Sequence, residues 1–177
     1  MTEPSDEALM RAYVQQGDRS AFEALFRRYA GRLLGYFSRT AGPAHAQDML
    51  QKTFLHVHRA RHDFRDGAPV RPWIFAIAAN VRREHWRRRG RKPETALDPD
   101  RHVPAVEPST SSPTDRAVRR ALEQLPEGQR EVVVLHWYEG LTFSEVSRMV
   151  GASPSAVKVR AHRAYKQLRA ILGGTDE

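Results

Sequence analysis

Ser155, Lys158, His162, Arg163 and Lys166 bring a hydroxyl, an imidazole and three cations together within a dozen residues, in the stretch "GASPSAVKVRAHRAYKQLR". The Ser155-x-x-Lys158 spacing is one that some acyl-transfer enzymes use, with the amine taking the hydroxyl proton. Lys158 here stands in a row of cations, however, and no partner motif accompanies it. Residues 151–169 hold five Lys or Arg and no acid. At about 100° per residue, Val157, Ala161, Ala164, Leu168 and Leu172 fall on one face of a helix. Ser155, Val159, His162, Arg163 and Lys166 fall on the other, with Lys158 and Arg169 at its flanks. The first face is expected to pack inward. The second suits a DNA major groove, where Arg makes paired hydrogen bonds to guanine and Lys neutralises phosphate. Its plain alternative is a solvated basic face.

A second basic helix is "PWIFAIAANVRREHWRRRGRK". Ile74, Ile77, Ala78 and Val81 form its apolar stripe, continued by His85, while Asn80, Arg83 and Arg87 form a polar stripe at spacings of three and four. The loop before it, "RHDFRDGAPVRPW", mixes Phe64, charges, Gly67 and two prolines. Such a loop could hold a base taken out of its stack beside an aromatic ring, or be a plain connection. His58 and His62 share a helix face with Asp63 adjacent, which is conceivable for a metal, but a third ligand is missing because His56 points elsewhere. No metal or other cofactor is expected.

These residues need helices to carry them, and helix signals dominate the chain. Apolar residues recur at three and four, with no alternating run bounded by turn dipeptides, so the expected class is all-α. In "LPEGQREVVVLHWYEG", Pro126 marks a first turn and Gly140 a stop. Thr142 reads as the next N-cap, Glu145 as its capping-box partner, and Leu141 with Val146 as a hydrophobic staple. Gly151 offers a left-handed stop, and Ser153 with Pro154 starts the last helix. Helix, glycine turn and longer helix make a helix-turn-helix. Between the two basic regions, residues 91–114 hold five of the chain's 11 prolines and a Ser/Thr cluster, which reads as a flexible linker joining two small domains, 1–90 and 115–177.

Across 177 residues, 29 Lys and Arg against 21 Asp and Glu leave a net charge of +8, which favours a polyanionic partner. Cysteine is absent, so disulfides and thiolate metal sites are excluded. The amino terminus is acidic and lacks a signal peptide's pattern, and no apolar run reaches spanning length, so the expected location is the cytoplasm.

"GDRSAFEALFRRY", "AQDMLQKTFLHVHRARHDF", "RPWIFAIAANVRREHWRRR" and the run from Leu125 to Arg169 occur in an order and spacing that resemble the bacterial RNA polymerase sigma factors of the extracytoplasmic-function branch, which keep only sigma regions 2 and 4. The resemblance implies a non-enzymatic factor that binds core polymerase through its clamp and flap and directs promoter-specific initiation. It implies that Asp48, Gln51, Phe54 and Leu55 dock on the clamp. Phe64, Arg65 and Asp66 with Asn80, Arg83 and Arg87 would hold the single-stranded minus-10 element. Lys158, Val159, His162, Arg163 and Lys166 would read the duplex minus-35 element. It further implies an anti-sigma partner, of a kind often anchored in the membrane, and no small-molecule substrate. Lys52 stands where the family often has an acid, His58 where it often has tryptophan, and Val159 where serine is common. A helix-turn-helix regulator that is not a polymerase subunit is the alternative, and an interaction adaptor with incidental basic patches a third class.

Overall fold

The computed structural model describes residues 3–90 and 112–173, and every regular element among them is helical. The first group comprises α1 (Asp6–Gln16), α2 (Arg19–Ala41), α3 (Pro43–Arg59), a 3-10 turn (Arg61–Asp63) and α4 (Val70–Gly90). The second comprises α5 (Pro113–Glu123), α6 (Glu127–Val133) continued by a π-helical turn (Val134–Tyr138), α7 (Phe143–Val150) and α8 (Pro154–Gly173). The expected linker lies outside the described residues from 91 to 111.

Local signals set the helix ends. Asp18 caps α2 by accepting from the backbone N–H groups of Ser20 and Ala21. Thr142 and Glu145 form both halves of the capping box at α7, with the staple residues Leu141 and Val146 buried beneath it. Gly151 ends α7 at φ 66°, a left-handed conformation that a side chain would strain. The Ser153 hydroxyl then accepts from the N–H of Ala156 to open α8. That sequence of caps fixes the angle between α7 and α8.

Tyr36, Phe37, Met49, Ile74 and Phe75 are fully enclosed at the centre of the first group. Val70, Ile74, Ala78 and Val81 line the inner side of α4. Ile77, expected in that stripe, is only half-buried, because it lines an open groove between α3 and α4. On α8, Val157, Ala161 and Ala164 pack inward as expected, and Leu168 packs against a small cluster of Leu122, Leu125 and Val133. Leu172 is exposed. It lies in the last turn of α8. The two groups also share apolar packing: Val132, Val134, Leu135, Leu141, Val146 and Met149 belong to one continuous core with the first group.

One half-buried acid ties α1 to α2. The Asp6 carboxylate accepts from the Tyr29 hydroxyl at 2.5 Å and from Arg28 at 2.7 Å. Burial pushes its pKa up, but the Tyr29 hydrogen bond and Arg28 outweigh this and hold it below the ordinary value of 3.8. A depressed folded-state pKa gives stability that is complete above the unfolded value and lost as pH falls through the folded one. Asp6→Asn is therefore expected to lower the melting temperature at neutral pH and to flatten the further loss of stability as pH falls below the ordinary carboxylate value of 3.8. Thermal melts followed by circular dichroism across that range check it, and parallel curves for the two proteins would contradict it.

Candidate nucleic-acid interface

The outer face of α8 is built by the rigid packing of its inner one. With Val157, Ala161 and Ala164 held against the core, Lys158, Val159, His162, Arg163 and Lys166 all stand exposed on the opposite side. Among the described residues, no ion pair involves Lys158, His162, Arg163 or Lys166. Tyr165 beside them is exposed and stacks on Trp137 of the π-helical turn, at 6.1 Å between ring centres.

A second surface forms where α3, the 3-10 turn and α4 meet. His56, Arg59, Ala60, Asp63, Ile77 and Asn80 line an open groove of about 280 Å³. Of the sequence-predicted residues only Asn80 lines it, and Arg83 next to it donates to the Asn80 Oδ1 at 3.0 Å. Arg87 is exposed further along α4. The loop from Phe64 to Val70 is pinned by α1, since Asp66 pairs with Arg11 at 2.9 Å and Glu7 accepts from the Val70 N–H at 3.3 Å. Arg65 is left exposed. Phe64 differs from its expected place beside a base: it is 8% exposed and packs edge-on against Trp73, with ring centres 5.1 Å apart. Its ring anchors the loop and has no free face to stack on.

Along α3 the four predicted docking residues separate. Asp48, Gln51 and Leu55 are exposed, with Asp48 paired to Lys52 at 2.6 Å. Phe54 is 5% exposed and packs against Phe22 and Phe26, whereas Leu55 is 46% exposed. His58, at the end of the helix, bonds through Nδ1 with the hydroxyl of Tyr13.

Two family models match the chain, "Sigma-70 region 2" over residues 25–92 and "Sigma-70, region 4" over residues 115–168. The RNA polymerase sigma factor CarQ of Myxococcus xanthus is 40% identical over 90% of this chain and 93% of its own. The ECF RNA polymerase sigma factor SigM of Mycobacterium tuberculosis is 36% identical over 97% of this chain and 86% of its own. The chain belongs to the extracytoplasmic-function branch of the sigma-70 family. It is an alternative sigma factor that directs transcription initiation, with no catalytic chemistry of its own. Among solved structures, that of CnrH in complex with the cytosolic domain of CnrY resembles it with a TM-score of 0.69 and 28% identity, covering 97% of this chain and 99% of the other. Among the described residues, no helix of this sigma factor is long and apolar enough to cross a membrane.

Sequence reasoning missed two sets of residues. His56, Arg59, Ala60 and Asp63 line the groove because the packing of α4 on α3 brings Ile77 and Asn80 beside them. The other set joins the two sigma regions. Arg82 donates to Glu127 at 2.8 Å and to the Thr40 carbonyl at 3.3 Å, and pairs with Glu131 at 3.1 Å. Tyr36 donates to the other oxygen of Glu131 at 2.8 Å. Arg32 pairs with Glu139 at 2.9 Å, and the Arg39 guanidinium lies 4.2 Å from the centre of the Tyr138 ring. Burial pushes the Glu139 carboxyl above its ordinary range despite Arg32, and burial together with the Glu131 charge pushes the Tyr36 hydroxyl well up. Arg82 did leave a trace in the sequence, because it follows Ala78 by four on the buried register of α4, where a cation requires an acid partner. Nothing local points to which acids supply it.

The contrast along α3 yields a stability expectation. Phe54→Ala should cost about 3–5 kcal/mol, the ordinary loss for emptying an enclosed aromatic site, whereas Leu55→Ala should stay within about 0.5 kcal/mol. Urea unfolding of the two variants measures this, and equal losses would mean that Leu55 is a core residue.

Proposed function

We propose that the sigma factor divides promoter recognition between two domains, residues 1–90 and 115–177, joined by a linker that starts at residue 91 and ends where Ser112 caps α5, so that Pro113 and Thr114 open the second domain instead of closing the linker. Asp48, Gln51 and Leu55 on α3 dock on the polymerase clamp, with Phe54 supporting that face from within, and the 115–177 domain meets the flap. Asn80, Arg83 and Arg87, with Arg65 and Asp66 of the loop, hold the single-stranded minus-10 element. Lys158, Val159, His162, Arg163 and Lys166 read the duplex minus-35 element. The factor acts in the cytoplasm, and its inhibitory partner is an anti-sigma factor anchored in the membrane, so any membrane association of this chain is borrowed from that partner.

The groove beside Asn80 is the observation that carries the minus-10 assignment. Its volume of about 280 Å³ suits one planar base, and its lining joins polar groups for the base edge to apolar surface for its face. Unstacking a base costs a few kcal/mol. With Phe64 enclosed, the offset comes from hydrogen bonds to the edge of the base by Asn80 and from Arg59 and Arg83, whose guanidinium planes can stack on it or meet the backbone. Single-strand capture on α4 and groove reading on α8 use different chemistry, and their losses should differ accordingly.

Asn80→Ala is expected to abolish most factor-dependent transcription by purified core polymerase from a duplex promoter while sparing transcription from a template already melted over the minus-10 element less than fully. Full activity on duplex would remove Asn80 from the site. On α8, Arg163→Ala should cost about 1–3 kcal/mol on the native minus-35 sequence and relax discrimination at one or two base pairs. Lys166→Ala should weaken all sequences alike and reduce the slope of log affinity against log salt by about one. Holoenzyme binding to single-base promoter variants at several salt concentrations separates them, and identical sequence-independent losses would make α8 a solvated basic face.

A further inference from the structure

The last turns of α4 carry Arg87, Arg88 and Arg89, and two imidazoles hold them to the start of α3. His45 of α3 and His85 of α4 are both half-buried and lie ring against ring, with 4.6 Å between their centres. Arg89, one turn beyond His85, donates to Nε2 of His45 at 2.6 Å. We propose that His45, His85 and Arg89 form a pH-sensitive clasp: with both imidazoles neutral it positions the last turns of α4 for the melted minus-10 strand, and acidification releases it and weakens promoter opening. The proposal rests on the assignment of Asn80, Arg83 and Arg87 to that strand.

Hydrogen bonding gives the first reason. A guanidinium can only donate, so the bond from Arg89 requires a lone pair on Nε2 of His45. A proton at that nitrogen would set N–H against N–H and one cation against another. His85 carries a different restriction with the same outcome. Its Nε2 is enclosed and has no hydrogen-bond partner among the described residues, so an imidazolium there would bury a charged N–H without an acceptor. With the rings in contact, a proton on either imidazole also opposes one on the other. The clasp is therefore compatible with one protonation state only.

The surrounding charges give the second. From α3, Asp48 and Lys52 face the pair, but they are bound to each other at 2.6 Å. On α4, Glu84 is taken by Arg88, which leaves Arg89 against His45. The cation in the last turn of α2, Arg39, lies over the Tyr138 ring. Burial and then Arg89 hold the His45 imidazole below its ordinary value of 6.5, with Asp48 opposing them. Burial, His45, Arg89 and Lys52 do the same for His85, again against Asp48. A histidine depressed in the folded state gives stability that is complete above the unfolded value and lost as pH falls through the folded one. The clasp is closed at neutral pH and opens in the range where histidine titrates. Once it opens, the ordering of the last turns of α4 has to be supplied by the DNA, which is a cost to capture of the strand.

The test compares the unaltered full-length chain with His45→Gln and with His45→Gln combined with His85→Gln. The amide introduced by His45→Gln keeps an uncharged acceptor for Arg89 and does not titrate. Thermal melts of the free chain are followed by circular dichroism between about pH 7.5 and about pH 5.5, the range in which histidine changes charge. The melting temperature of the unaltered chain is expected to fall across that range by more than that of the double variant. Promoter opening by the holoenzyme is read over the same range from permanganate reactivity of the minus-10 thymines of a promoter from which it initiates. Opening by the unaltered factor should fall by roughly threefold more than opening by the double variant, with the two equal at the upper pH. Should the double variant lose its helical circular dichroism, His45→Gln alone carries the comparison. Equal pH dependence of the melts overturns the clasp, and melts that differ while the opening profiles coincide overturn its role in positioning α4. Arg87→Ala at the upper pH separates the proposal from the assignment beneath it: undiminished opening removes the last turns of α4 from the minus-10 site and the positioning role with it, while the clasp itself is judged by the melts.

Discussion

A guanidinium enclosed in a helical core has to be neutralised, and in this sigma factor the neutralising carboxylates come from the other sigma region. Arg82 lies on the same side of α4 as Ala78, so the helix cannot seat its apolar stripe on α2 and α3 without burying that charge. Thr40 supplies one carbonyl from within region 2, but the opposite charge arrives only with Glu127 and Glu131 of α6. The packing of region 2 and its contact with region 4 are therefore coupled through one side chain. A buried pair of this kind adds little net stability compared with apolar packing, yet breaking it by half costs about 3–5 kcal/mol. It acts as a condition on the arrangement more than as a source of stability.

The same helix carries the opposite assignment on its outer side. Asn80, Arg83 and Arg87 stand away from the core, and the groove beside Asn80 is held in shape by parts that do not themselves touch nucleic acid. Phe64 against Trp73 fixes the near end of the loop, and Arg11 with Glu7 fixes it from α1. On α8, three small or branched residues on the inner face set the rotation of the helix, and its exposed basic face follows from them. Placing recognition groups on rigid helices, with enclosed aromatics and ion pairs behind them, limits the ordering that binding must supply.

Features determined by near neighbours in the chain were legible in the sequence. The Thr142–Glu145 capping box, the Leu141–Val146 staple, the Gly151 stop and the Ser153 cap each depend on residues within five positions, and all four occur as the pattern implies. Features determined by distant partners were not. Phe64 looks like a loop aromatic until Trp73 is brought against it. Leu172 continues a perfect apolar stripe but is exposed in the last turn of α8. The run "VVVLHWYEG" reads as plain α-helix, whereas its end adopts a π-helical turn, with the N–H of Glu139 reaching back to the Val134 carbonyl at 3.2 Å. That turn delivers the Glu139 carboxylate to Arg32, more than a hundred residues away. Arg82, Glu127 and Glu131 stand inside the sigma-70 motifs, but no motif shows that they pair with one another across the two regions.

The central claim is that Arg82 of α4 holds region 2 against Glu127 and Glu131 of α6. The chain contains no cysteine, so Ala44→Cys on α3 and Ala170→Cys on α8, both exposed, accept a donor and an acceptor dye without background. Single-molecule energy transfer between them, compared in the otherwise unaltered chain and in Glu131→Lys, measures directly whether that contact holds the two regions together. A fall in efficiency in the variant is the predicted result. The same efficiency in both chains would contradict it.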